Sequence, residues 1–217
     1  MKNLKKYFQT FFDFLFPARK DALIVGKINS ENINSLEKAP PVSGLQWIYP
    51  LFHYRDKRVK AIIWELKYKE NTWPLEFIGK IIYEEIVSLI SDVYLFNNEA
   101  KFLLIPIPIS SSRRRERGFN QSEYIAKSIL EYDTEHILLY APQWFQKIKD
   151  TEIQSHSGSK EERMKNLVGC FEANSNVDGK YVILIDDVVT TGSTLSEDRT
   201  TLLSAGARDV FAFTIAH

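Results

Sequence analysis

The residues best placed to do chemistry are Asp186 and Asp187, which end the apolar run Tyr181 to Ile185 and lead into Val188, Val189, Thr190, Thr191, Gly192, Ser193 and Thr194. An apolar run of this kind reads as a strand buried on both faces, and the hydroxyl-rich turn after it reads as the start of a helix. In an open parallel sheet, ligands sit outside the carboxyl ends of the strands, which is where this turn falls. The segment Val189 to Thr194 offers hydroxyl donors, a glycine that lets the backbone come close, and the first amides of a helix. Together these make a cradle for a monophosphate. Ionised Asp186 and Asp187 only accept hydrogen bonds, which suits the cis hydroxyls of a ribose whose 5-phosphate lies in the cradle. The alternative for the same residues is an acidic turn with a good helix cap. A second charged feature lies between Pro108 and Phe119, where Arg113, Arg114, Arg115 and Arg117 against Glu116 give a net charge of +3. Directly after a strand end, such a loop suits a polyanion, either a small phosphate compound or a nucleic-acid backbone.

The elements that must position these residues follow from periodicity. Trp47 to Tyr54 reads as a strand, Val59, Ile62, Ile63 and Leu66 as a helix face, and Ile78, Ile82, Ile86, Leu89 and Ile90 as a longer one. Phe102 to Pro108 is a second buried-type strand, followed by a helix capped by Asn120 or Ser122. The strand Tyr181 to Ile185, a helix from Ser193 and a last strand from Val210 to Ile215 complete the series. Strands alternating with helices predict an α/β fold with a mostly parallel sheet flanked by helices. With 217 residues, one domain over 47–217 is expected, preceded by a small appendage over 1–46. In that appendage Leu4, Tyr7, Phe8, Phe11, Phe12 and Leu15 share one helical face, and 18–46 reads as a linker or irregular segment.

Composition removes several classes. Equal numbers of basic and acidic residues, 28 each, exclude a globally basic nucleic-acid binder, so any nucleic-acid surface must be local. A single cysteine, Cys170, excludes a disulfide framework and a multi-thiolate zinc site, fits a reducing, cytoplasmic setting, and reads as a small buried hydrophobe. The four histidines have no ligand spacing, so no protein metal site is assigned, and no run approaches the ~20 apolar residues of a membrane span. Trp64, Tyr68 and Trp73 have helical spacing that favours core packing over base stacking.

The strand with its two carboxylates and Thr/Gly/Ser-rich turn resembles the signature of type I phosphoribosyltransferases. Ile105 to Pro108, Arg117 to Gln121, Leu66 to Tyr68, and the series Thr151, Gln154, Arg163, Asn166 and Phe171 are similar to the ComF (competence protein F) family of that superfamily. The resemblance runs from about Trp47 to the C-terminus. It implies a type I phosphoribosyltransferase fold that binds 5-phosphoribosyl 1-pyrophosphate (PRPP) or a ribose 5-phosphate group, with Mg2+ arriving on the pyrophosphate. It also implies catalytic roles for Asp186, Asp187, Arg117 and Gln154, the last on a loop that closes over substrate, and pyrophosphate binding by Lys67, Arg113, Arg115 and Arg117. One departure is large: the family's N-terminal cysteine-rich zinc region is absent, since 18–46 contains neither Cys nor His, so no zinc is expected. Three function classes stay open: a transferase releasing pyrophosphate onto an unassigned acceptor, a non-catalytic accessory module for competence and single-stranded DNA, and a PRPP-sensing regulator. Single-stranded DNA or a DNA-uptake helicase are the partners that go with the second class, and a homodimer is a further arrangement considered.

Overall fold

The computed structural model describes residues 20–69, 71–95, 99–149 and 169–217. The N-terminal amphipathic face, and Gln154 with the rest of the series from Thr151 to Asn166, lie outside these. Seven strands are described: β1 (Ile48–Phe52), β2 (Phe102–Pro106), β3 (Leu138–Tyr140), β4 (Phe145–Lys147), β5 (Phe171–Ala173), β6 (Tyr181–Val188) and β7 (Asp209–Ala216). The described α-helices are α1 (Lys20–Val25), α2 (Lys57–Lys69), α3 (Leu75–Tyr94), α4 (Ser111–Arg117), α5 (Gln121–Leu130) and α6 (Ser193–Ser204). The main sheet has the order β3-β2-β6-β7-β1 with every pairing parallel, and β4 and β5 form a separate antiparallel pair. The fold is α/β, a mostly parallel sheet flanked by helices.

Side-chain alternation along the strands explains why they read as continuous apolar runs. Phe102, Leu104, Ile183, Ile185, Phe213 and Ile215 belong to one core with Ile62, Leu66, Ile78, Ile82 and Ile125 from α2, α3 and α5. Leu103, Ile105, Val182, Leu184, Val210 and Ala212 belong to another, with Leu195 and Leu202 of α6 and Phe145 and Phe171 of the β4–β5 pair. β2, β6 and β7 thus each have two buried faces. In the segment read as a linker, Val25, Ile28, Ile33 and Leu36 enter the first of these cores. Cys170 is buried, as expected of a small hydrophobe. Tyr68 and Trp73, expected in the core, are instead 56% and 51% exposed, and Trp73 Nε1 donates to the Ile28 carbonyl at 3.3 Å.

α3 and α5 approach closely at Gly79. A Cβ placed there would lie 2.6 Å from Ser128 Oγ and 2.7 Å from the Ser128 carbonyl carbon and oxygen, and backbone atoms cannot give way as a side-chain tip would. Gly79→Ala is expected to destabilise the protein by roughly 1–3 kcal/mol in urea unfolding, because the overlap outweighs the ~1 kcal/mol that alanine ordinarily gains in a helix.

The order of the strands locates the site. From β2 the chain winds outward to β3, with α5 packed on the first core. β6 lies on the other side of β2, and the chain winds from it to β7 through α6, which packs on the opposite core. A crevice must open between the carboxyl ends of β2 and β6, where the winding reverses.

Candidate functional site

The two carboxylates stand at this crevice and are tied to different elements. Lys67, near the end of α2, brings its Nζ to 3.0 Å from Asp187 Oδ2, and both side chains are largely buried. Asp186 Oδ1 accepts from the Ser122 hydroxyl at 3.1 Å and from the Asp187 backbone N–H at 2.9 Å. Burial, with the neighbouring Asp187 charge, pushes the Asp186 carboxyl up to about 7, against the opposing pull of the Asp187 N–H, Lys67 and Ser122. Near neutrality the Asp186 carboxyl is therefore only partly ionised until a ligand brings donors to it.

The turn after β6 has the features of an anion cradle. Val189 is anchored by its N–H to the Ala216 carbonyl at 2.9 Å, whereas Thr190 and Thr191 are exposed. The Thr191 and Ser193 hydroxyls lie 2.9 Å apart, and α6 begins with Gly192 at its N-cap, which supplies no side-chain acceptor. The Ser193 N–H makes a long bond of 3.4 Å to the Thr191 hydroxyl, and no N-cap side chain competes for the other first amides of α6. Gly192 also has a structural role of its own. Its φ is +72°, and a Cβ there would run into Leu45 Cδ1, so glycine is required by the left-handed backbone and by Leu45 packing against the turn. A bulky substitution at Gly192 would strain the fold rather than report on ligand approach.

A cavity of about 720 Å³ unites these groups, within the usual range for small-molecule sites. Of the residues singled out in the sequence, Lys67, Arg113, Asp186, Asp187, Val189, Thr190 and Thr194 line it, and Thr191, Gly192 and Ser193 complete the same turn. The arginine-rich stretch is a short helix, α4, and not a loop: Ser110 caps it by accepting the Arg113 N–H at 3.2 Å, and Gly118 ends it in the left-handed conformation. Helical spacing separates its arginines. Arg113 lines the cavity, Arg114 pairs with Glu123 at 2.9 Å on the surface, and Arg115 is exposed and does not line the cavity. Arg117 is the last residue of α4. Tyr54, Ser110, Ser122 and His217 also line the cavity, and no local motif in the sequence marks them as site residues. Tyr54 and His217 follow β1 and β7, so the rule that ligands gather at strand carboxyl ends is the signal that could have found them. Among the described residues no three His, Cys, Asp or Glu side chains are grouped to hold a metal ion, and no helix is long and apolar enough to cross a membrane.

No protein-family model matches the chain. It is 26% identical over 179 residues to the DNA utilization protein YhgH of Salmonella typhimurium, covering 81% of this chain and 72% of that protein. To the competence protein ComFC of Bacillus subtilis it is 34% identical over 118 residues, which cover 52% of this chain and 44% of the relative. To competence protein F of Haemophilus influenzae it is 24% identical, over 76% of this chain and 69% of the relative. Among solved structures, glutamine PRPP amidotransferase from B. subtilis, in complex with ADP and GMP, aligns over 54% of this chain and 22% of its own at 19% identity, with a TM-score of 0.32. By sequence the chain is similar to competence protein F, to ComFC and to the DNA utilization protein YhgH.

Proposed function

We propose that the crevice binds PRPP, or another compound carrying ribose 5-phosphate, on a type I phosphoribosyltransferase-like scaffold. The observation that carries this reading is the juxtaposition, in one cavity at the winding reversal, of an acidic strand end, the N-terminus of α6 and the cations Lys67 and Arg113. The 5-phosphate takes the turn from Val189 to Thr194, the ribose hydroxyls donate to Asp186 and Asp187, and the pyrophosphate faces Arg113 and Lys67. Mg2+ would enter on pyrophosphate and water oxygens, which it prefers to an all-protein cage. The reaction this arrangement supports is displacement of pyrophosphate from C1 of the ribose by an acceptor nucleophile, with Lys67 and Arg113 stabilising the charge that builds on the leaving group. Calorimetric titration with PRPP, with and without Mg2+, followed by a pyrophosphate-release assay over bases and amines, tests binding and turnover separately. Absence of binding in both titrations would sink the reading.

A second reading is favoured by the names of the relatives, which concern competence and DNA utilization. In it the chain is an accessory module for single-stranded DNA, or a partner of a DNA-uptake helicase, and ligand occupancy serves binding or sensing without turnover. The geometry of α4 separates the two. Arg113→Ala is expected to weaken PRPP and pyrophosphate binding by roughly 10- to 100-fold, as for removal of a charge-assisted bond of ~1.5–3 kcal/mol, while Arg115→Ala leaves it unchanged. If α4 instead tracks a phosphate backbone, Arg115→Ala lowers oligonucleotide affinity and reduces its log-log salt slope by about 0.7 for each phosphate no longer neutralised.

A further inference from the structure

Three consecutive residues at the start of α5 hold three different walls of the crevice. Buried Asn120 donates from Nδ2 to the Ile107 carbonyl at 3.0 Å, just past β2, and its Oδ1 accepts the Ser122 N–H at 3.1 Å. Gln121 Nε2 reaches toward the Lys67 carbonyl, 3.5 Å away near the end of α2. Ser122 donates its hydroxyl to Asp186 Oδ1, 64 residues away in the chain, at 3.1 Å. The helix cap is supplied by Asn120, so the Ser122 hydroxyl is not needed to start α5. Ser122 is only 2% exposed, so its hydroxyl has little access to water, and the carboxylate is the acceptor that satisfies it. With the Asp187 N–H as a second donor at 2.9 Å, Asp186 Oδ1 is fixed from two directions.

We propose that Ser122 is a positioning residue: it fixes the Asp186 carboxylate in the orientation that receives a ribose hydroxyl, and it couples the start of α5 to ligand binding. The functional half of this rests on the ribose 5-phosphate reading of the crevice. The orientation half stands on the bond itself. Around Asp186 the other charged groups are Asp187 on β6, Lys67 on α2 and Asp198 on α6. None of them is altered by a change at Ser122.

The test uses the full chain as wild type, Ser122→Ala, Ser122→Thr, Asp186→Asn and the Ser122→Ala/Asp186→Asn pair. Ribose 5-phosphate binding is measured by calorimetry, and the Asp186 carboxyl is titrated by carbon-13 NMR without ligand. Ser122→Ala is expected to weaken binding about tenfold and to move the Asp186 titration upward, because a bond to the ionised form disappears. Ser122→Thr, which keeps the hydroxyl, restores both. In the Asp186→Asn background Ser122→Ala has little further effect, because the two residues act as one unit. Wild-type affinity in folded Ser122→Ala, an equal loss in the Asp186→Asn background, or an unmoved Asp186 titration would each overturn the proposal. Failure of the wild type to bind ribose 5-phosphate or PRPP would remove the ligand reading, and the NMR titration would then decide alone whether Ser122 orients Asp186. Should Ser122→Ala not fold, Ser122→Cys, a weaker donor of similar size, gives the same comparison with smaller expected shifts.

Discussion

Asp186→Asn is expected to weaken ribose 5-phosphate and PRPP binding by roughly 10- to 100-fold while making the folded protein more stable at pH 8, a combination that Asp187→Asn does not share. The binding loss follows from replacing a charged acceptor, worth ~1.5–3 kcal/mol toward a donor, with a neutral one. The stability gain follows from linkage. The folded-state carboxyl of Asp186 sits at about 7, raised by burial and by Asp187, against about 3.9 for an unfolded aspartate. The folded state therefore holds its proton more tightly than the unfolded chain does. The stability this proton contributes is fully present below about pH 4 and is lost as pH rises through about 7. Asparagine does not titrate, so the gap between variant and wild type should open over that window and stay constant above it. Asp187 differs because Lys67 is its partner at 3.0 Å. Asp187→Asn leaves a largely buried ammonium without its counter-charge, so binding and stability should fall together, the latter by roughly 1–3 kcal/mol. Urea unfolding at pH 5 and pH 8 beside calorimetry reads both effects. Unchanged affinity in folded Asp186→Asn would rule out ribose recognition by this carboxylate.

How far such a site can be read in advance depends on whether its signals are local. The run Ile78, Ile82, Ile86 and Ile90 is buried along α3 at four-residue steps, and β2 and β6 are continuous apolar runs because both their faces are covered. These patterns lie within single segments, as do the carboxylate pair and the hydroxyl-rich turn, and all are legible. α4 is not, because Ser111 to Arg117 has no apolar residue to set a period; only the Ser110 cap and Gly118 mark its ends. β3 spans three residues and is held by β2 on one side and by Asp133, whose carboxylate accepts the Ile137 and Leu138 N–H groups at 3.0 Å. The bonds that give the crevice its chemistry, Ser122 to Asp186 and Lys67 to Asp187, join residues far apart in the chain. No window of sequence contains them, and only the winding of the sheet brings them to one edge.

The second large effect is expected at Asp198, on α6 little more than one turn beyond its start at the cradle. Its side chain is fully buried, and neither carboxylate oxygen has a hydrogen-bond partner among the described residues. Burial pushes its carboxyl well above the ordinary range, Asp186 and Glu197 push the same way, and Lys147 opposes them only in part. The sign is again that of a raised acid. Below about pH 4 both folded and unfolded chains carry the proton, and above it the unfolded chain releases its proton first. Stability then falls by about 1.4 kcal/mol for each pH unit until the folded-state group ionises in turn. Asp198→Asn keeps the size and removes the titration, so its unfolding free energy should fall less steeply between pH 5 and pH 9, with the largest advantage over wild type at the alkaline end. Asp186 contributes a slope of the same sign to both proteins, so the difference between the two curves belongs chiefly to Asp198. Parallel curves would mean that the carboxylate finds a partner in solution. A neutral Asp198 also leaves the N-terminus of α6 free to favour an anion, whereas an ionised one would oppose the phosphate through the interior. Phosphate affinity in Asp198→Asn should therefore match wild type while folded Asp198 keeps its proton, and exceed it only once that group ionises, where the stability gap stops widening.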